Sequence, residues 1–183
     1  YAGSGAEYDK RYPIQSVTEE DIRTHQIPVD QYGLMKYTAN QMIEESGNIY
    51  NLRLFGIFGP YEYWKTKYIS NLCCKSLKGL PLSLRKNCWF DYLWIDDFCR
   101  MLEMFMQLDH PKYHVYNAVS GVRISLYDLA GIVNDVADEQ RDIIVCNEGW
   151  ANEYTANNDR IRRELPEWEL TDMRTAVAKL YGW

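Results

Sequence analysis

Residues 30–60 read DQYGLMKYTANQMIEESGNIYNLRLFGIFGP, and a change of period inside this stretch decides the fold class. Asp30 is a good helix N-cap, and the residues after it continue as a helix to about Glu45, where Ser46-Gly47-Asn48 stops it. Ile49–Phe58 is different: branched and aromatic residues occupy both faces, and the run ends at Gly59-Pro60. That pattern predicts one strand buried on both sides, as in a parallel sheet.

Working outward, the same alternation recurs. Tyr1–Asp9 leads through Gly3, Ser4 and Gly5 like a strand end entering a turn, and residues 10–30, with Pro13 and Pro28, read as a loop with a helical turn at Glu19–Thr24. Downstream, the expected order is helix Lys65–Leu77, strand Asp91–Ile95, and a helix capped by Asp96-Asp97 that runs to about Gln107. Strand His114–Val119 follows, then a helix capped by Ser125 to Ala137, strand Asp142–Val145, and short helices at Asn158–Leu165 and Asp172–Leu180. Strands alternating with helices predict an α/β fold.

Composition bounds the function. At 183 residues and 46% hydrophobic content the chain can bury a core, and six Trp with 15 Tyr suit a packed interior. A net charge of −6 argues against general attraction to nucleic acid. The five cysteines show no zinc-type spacing, and His25, His110 and His114 fit no ligand pattern, so no metal is expected. No apolar run reaches membrane-spanning length, and a reduced, cytoplasmic setting is the simplest expectation. The chain opens on Tyr1 rather than Met, which leads us to expect a fragment of a longer protein.

Chemistry enters at Tyr32 and Lys36, four apart on the expected helix and therefore on one face, a turn from each other. A phenol ordinarily gives up its proton only near pH 10, and an adjacent ammonium favours the phenolate. Such a pair can serve as a general acid/base for a hydroxyl proton. The spacing alone is weak, since Tyr61–Lys65 and Tyr63–Lys67 repeat it.

Context separates the first pair from the other two. YAGSGAEYD at 1–9 resembles the S-S-x-x-V-Y-G element of extended short-chain dehydrogenases/reductases of the NAD-dependent epimerase/dehydratase, nucleotide-sugar-modifying kind. Tyr32-Gly33-Leu34-Met35-Lys36 is similar to their Y-G-x-x-K, and NLRLFGIFGP at 51–60 to L-R-x-F-N-V-Y-G-P. FDYLWIDDFCRML at 90–102 resembles R-D-F-x-x-V-D-D-x-x-x-A, and VYNAVSGVRISLYDLAGIV at 115–133 resembles Y-N-x-G-S-G-x-x-x-S-x-x-E-L-A. The terminal DRIRRELPEWELTDMRTAVAKLYGW also follows the family pattern, and all these elements keep family order.

The resemblance implies a partial Rossmann-like, doubly wound sheet carried by 1–60 and 91–120, and a small substrate-binding α/β subdomain from 61–90 and 121–183. It implies Tyr32 as acid/base, Lys36 as its activator and nicotinamide-ribose contact, and Ser4 as the residue that orients the substrate oxygen. Phe55, Gly56 and Ile57 would flank the nicotinamide of NAD or NADP, and the substrate would be a nucleotide-sugar. It also implies a homodimer through the helices at 30–45 and 65–77, with Met35, Ala39 and Met42 on its face.

The sequence departs from that pattern in three places. The glycine-rich turn that holds a dinucleotide pyrophosphate does not occur in it, so this chain alone is expected to bind no cofactor and turn over little. Phe90 stands where many members have an Arg that clamps the diphosphate, with Arg85 a candidate to compensate. Gly56 stands where Asn is common. Arg53, on a buried-looking strand, needs either a structural carboxylate or a substrate phosphate as partner. Two alternatives stay open: a non-catalytic dimerisation or binding module, and a reductase of a non-nucleotide carbonyl, which Phe90 suggests.

Overall fold

A computed structural model describes residues 1–183. Ten strands and six helices alternate as an α/β fold. Strand β1 (Ala2–Ser4) lies parallel to β3 (Asn51–Leu54), which lies parallel to β7 (Val115–Ala118). Helix α1 (Gln31–Glu44) covers β1 and the turn after it. In β3, Asn51, Leu52 and Arg53 are all buried, which matches the strand expected to be buried on both sides, although the face of Asn51 and Arg53 is polar.

The single strand expected over Ile49–Phe58 is in fact two. β3 ends at Leu54, Phe55 turns out, and β4 (Gly56–Phe58) joins a different sheet against β6 (Trp89–Trp94). Glycine at 56 permits the switch, because a Cβ there would sit 2.6 Å from the Asp91 carbonyl oxygen. The second sheet runs β2 (Ile14–Val17), β10 (Tyr154–Ala156), β6, β4, with β8 (Arg123–Ser125) antiparallel to β6. A small parallel pair, β5 (Leu82–Leu84) with β9 (Ile143–Val145), completes the strands.

Strands β2, β5, β8 and β10 are absent from the sequence reading. Each has three or four residues, too few to display a period of two, and β2 lies inside the expected 10–30 loop. Helix α2 begins at Tyr68 rather than Lys65 and ends at Leu77 as expected. Helix α3 spans Ile95–Phe105 with Trp94 at the N-cap. Asp96 and Asp97 are therefore first-turn acids, not the cap. Asp97 is buried and accepts from the Thr171 N–H and hydroxyl at 2.8 and 2.7 Å, which ties the C-terminal segment to α3.

On α3 Met101 is buried, whereas Met106 is 69% exposed, because the helix has ended by then. The remaining helices are α4 (Leu126–Val136), capped by Ser125, α5 (Asp159–Glu164) and α6 (Met173–Tyr181), capped by Asp172.

Three apolar clusters hold the molecule. One joins α2, α4 and α6 under Phe58 and Trp94. A second packs Leu52, Tyr116 and Ala118 against Leu93, Met101, Phe105 and Trp168. The third gathers Tyr8, Ile14, Val17, Ile22, Val119 and Ala156. Helix α2 packs its buried face on α4 and α6, and its end at Leu77 is exposed. Exposed Leu34, Met35 and Met42 remain on α1.

Asp91 fastens the turn after β7. Its carboxyl accepts from Ser120 N–H and Oγ and from Gly121 N–H at 2.7–2.9 Å. Burial outweighs these bonds and pushes its pKa up to about 6. The folded state thus holds the Asp91 proton more tightly than the unfolded chain does. The stabilising contribution is full below the ordinary carboxylate range and is lost as pH rises through about 6. Carboxyl-detected NMR titration should show an Asp91 midpoint near 6, with stability gaining from this group as pH falls from 6 toward 4.

Candidate active site

Ser4 closes β1 and caps a 3-10 turn at Gly5–Glu7. Its Oγ accepts the Ala6 N–H at 3.1 Å, and its own N–H donates to Glu7 Oε1 at 3.2 Å. The two bonds form a capping box. Glu7 is buried and carries more than this cap. Asn51 Nδ2 donates to Glu7 Oε1 at 3.0 Å and Arg53 Nε to Oε2 at 2.5 Å.

Arg53 is wholly buried and gives its remaining bonds to the Tyr8 hydroxyl and the Glu19 carbonyl. The candidate role of Arg53 in substrate binding is therefore corrected. Its partner is the structural carboxylate of Glu7, and no part of it reaches the surface. Arg85 is also apart from the site: it is exposed beyond β5, and its backbone carbonyl binds Asn147.

Helix α1 sets Tyr32 and Lys36 beside this turn. Asp30 Oδ1 accepts the Gly33 N–H at 2.8 Å to start the helix. Gly33 lets it approach the turn, since a Cβ there would meet the Ala6 carbonyl at 2.7 Å. One turn on, Lys36 Nζ donates to the Ala2 carbonyl at 2.7 Å. The same ammonium lies 4.6 Å from the Tyr1 ring centre and 5.8 Å from that of Tyr32. Lys36 is thus pinned between β1 and the Tyr32 ring.

Tyr32 is 52% exposed and opens onto a cleft of about 360 Å³. Ser4, Phe55, Gly56 and Ile57 line the same cleft, so the structure collects these sequence-selected residues on one side, with Lys36 immediately behind. The decoys Tyr61 and Tyr63 lie outside its lining.

Apart from Phe90, the rest of the lining was not foreseen. It is built from Glu62, Lys67, Tyr68, Phe90, Tyr92 and Tyr154, with Lys10 at one end. Phe55, Tyr154, Phe90 and Tyr92 form a continuous aromatic face with neighbouring ring centres 4.8–5.1 Å apart. Gly5 admits this face: a Cβ there would sit 2.4 Å from the Tyr154 hydroxyl and 2.7 Å from the Phe55 ring. Burial pushes the Tyr68, Tyr92 and Tyr154 phenols up, so they remain protonated. Burial likewise raises the Glu62 carboxyl, opposed by its bond from Ser70 and by Lys67.

One signal could have found part of this wall. Glu62 follows the C-terminal end of β4, the end of a parallel strand at which ligands gather in α/β sheets. Nothing local marks Tyr154, which reaches the cleft only because β10 inserts beside β6.

The sequence pattern of the NAD dependent epimerase/dehydratase family matches residues 1–118. No curated protein matches the chain. Among solved structures, a GDP-L-fucose synthetase from Naegleria fowleri bound to NADP is similar over 100% of this chain and 61% of its own, with TM-score 0.82 and 14% identity. A dTDP-glucose 4,6-dehydratase from Bacillus anthracis in complex with NAD aligns with TM-score 0.82 and 19% identity, covering 100% of this chain and 59% of its own. A UDP-N-acetylglucosamine 4-epimerase from Methanobrevibacter ruminantium, in complex with UDP-N-acetylmuramic acid, gives 0.77 and 16% over 100% and 61%. At these identities the likeness shows the fold, and the chain spans about 60% of the length of the structures it matches.

Proposed function

This chain belongs to the NAD dependent epimerase/dehydratase family, and from that premise we propose that the protein containing it modifies a nucleotide-sugar by transient or net hydride transfer at a sugar carbon. The observation that carries the proposal is the joining of Ser4, Tyr32, Phe55, Gly56 and Ile57 on one cleft wall, with Lys36 held against the Tyr32 ring.

The fit of a nicotinamide cofactor to these residues is partial. The groups that would meet its nicotinamide and ribose are present and converge: Tyr32, Lys36 and the Phe55–Ile57 backbone. No strand–glycine turn–helix element for its pyrophosphate lies within residues 1–183. When bound, NAD or NADP would supply hydride exchange with the sugar carbon.

The chain's own part is positional and acid–base. Ser4 Oγ accepts the Ala6 N–H and shares a side-chain hydrogen bond with Tyr154, so a substrate oxygen would meet the Ser4 and Tyr154 hydroxyls together. Tyr32, open to the cleft, takes the hydroxyl proton as phenolate or returns it as phenol, with the Lys36 ammonium beside its ring. The neutral phenols of Tyr92 and Tyr154 act as donors and stacking surface. In this proposal residues 1–60 and 91–120, which include the first sheet with α1 and α3, are the cofactor part. Residues 61–90 and 121–183 are the substrate part.

A homodimer through the helices at 30–45 and 65–77, with the exposed apolar side chains of α1 on its face, belongs to the same proposal, as does a cytoplasmic setting, which suits five free thiols. No helix is long and apolar enough to cross a membrane.

The test uses the full protein with NAD⁺ or NADP⁺ and a panel of UDP-, dTDP- and GDP-sugars. Reduced nicotinamide should appear, transiently or in net, with at least one of them; silence across the panel would sink the reading. A second reading, reduction of a non-nucleotide carbonyl, is favoured by one observation: Phe90 contributes a ring and no charge to the cleft.

A further inference from the structure

Phe90 and Tyr154 are shared by two spaces. One is the cleft containing Ser4 and Tyr32; the other is an open chamber of about 210 Å³, lined beyond the two rings by Lys10, Tyr12, Ile14, Asn152 and Glu153. That chamber is smaller than a free-standing ligand site, which starts near 300 Å³, so it is an annex to the cleft.

The charges around it are not equivalent. Glu153 is fully engaged: Arg123 Nε and Nη2 donate to its two oxygens at 3.0 and 2.8 Å, and the Thr155 hydroxyl donates at 2.8 Å. The carboxylate of Asp9 is taken by Arg11 through a two-pronged contact. The Asn152 amide is spent on the carbonyls of Lys10 and Arg11, which fixes the course of that turn. Lys10 has no carboxylate within salt-bridge distance, a state it shares in the cleft with Lys67. Its Nζ stands 5.7 Å from the Tyr154 ring centre, and the residue borders both spaces. An uncompensated cation at the end of an aromatic wall recognises an anion attached to a planar group, and the low-polarity wall strengthens the attraction.

We propose that Lys10 is the residue that holds the anionic part of the substrate: a nucleoside diphosphate moiety stacks its planar end along Phe90 and Tyr154 and sets a phosphate oxygen against Lys10 Nζ. This rests on the nucleotide-sugar reading. It moves the anion contact from β6, where Phe90 offers none, to the turn after β1.

Binding of UDP, dTDP and GDP, each beside its nucleoside, is measured by calorimetry on the full protein and on Lys10→Gln and Lys10→Arg. Lys10 is exposed, so both variants should fold. At least one diphosphate should bind, and Lys10→Gln should weaken it roughly tenfold with the matching nucleoside unchanged, while Lys10→Arg retains the affinity. Diphosphate affinity indifferent to Lys10→Gln overturns the proposal, as does wild-type protein that binds none of the three. If in either case Tyr32-dependent reduction of NAD⁺ or NADP⁺ persists, the subsite alone has failed. If that reduction is missing as well, the parent reading has failed with it.

Discussion

Tyr32→Phe in the full protein is expected to cut turnover by about a hundredfold to ten-thousandfold, the usual worth of a positioned general acid/base. The change removes one hydroxyl from a half-exposed helix position, so the melting temperature should hardly move. This separation of activity from stability makes the test sharp. The other cleft phenols cannot take over: Tyr68, Tyr92 and Tyr154 are pushed up by burial and remain protonated. Lys36→Met should share the loss of activity, because the ammonium between the Ala2 carbonyl and the Tyr32 ring disappears. Retention of wild-type turnover in Tyr32→Phe would remove Tyr32 from the chemistry and leave only a cleft of suitable shape.

Arg53→Ala is expected to be the most damaging single change to stability, at about 3–5 kcal/mol, because it strands the buried Glu7 carboxylate. In a domain of this size that corresponds to a drop in melting temperature on the order of 10 °C. The Glu7→Gln/Arg53→Met pair should cost clearly less than the sum of the two single changes, since neither buried charge is then left alone. A scanning calorimetry cycle reads this directly, and additive effects would show that the pair is not a unit. Function should suffer too. Glu7 holds the Ser4 N–H and Asn51, so loss of the pair loosens the turn that aims Ser4 into the cleft.

Much of this architecture was legible because it rests on local chemistry. The Asp30 and Ser125 caps marked α1 and α4 within a residue, each through a side-chain oxygen that accepts a backbone N–H. The ordered family-like segments located Ser4, Tyr32 and Lys36. Spacing alone would not have chosen Tyr32–Lys36 over Tyr61–Lys65. What separates them is that Gly33 and Asp30 dock α1 on the Ser4 turn, whereas Tyr61 is 88% exposed.

The sequence by itself determined the α/β class, the caps at Asp30 and Ser125, the alternation of the longer elements and the shared helix face of Tyr32 and Lys36, because each depends on residues within a turn or two of one another or on a pattern that keeps its order. Tertiary structure alone decided the rest. The break of residues 49–58 into two sheets depends on how closely Gly56 can approach Asp91. The partner of Arg53 is a glutamate 46 positions away in the chain. The aromatic wall joins Phe55, Phe90, Tyr92 and Tyr154 from three separate strand regions. Contacts over such separations are set by packing, which no local period encodes. Lys10 and Phe90 likewise acquire their meaning only when β10 places Tyr154 between them.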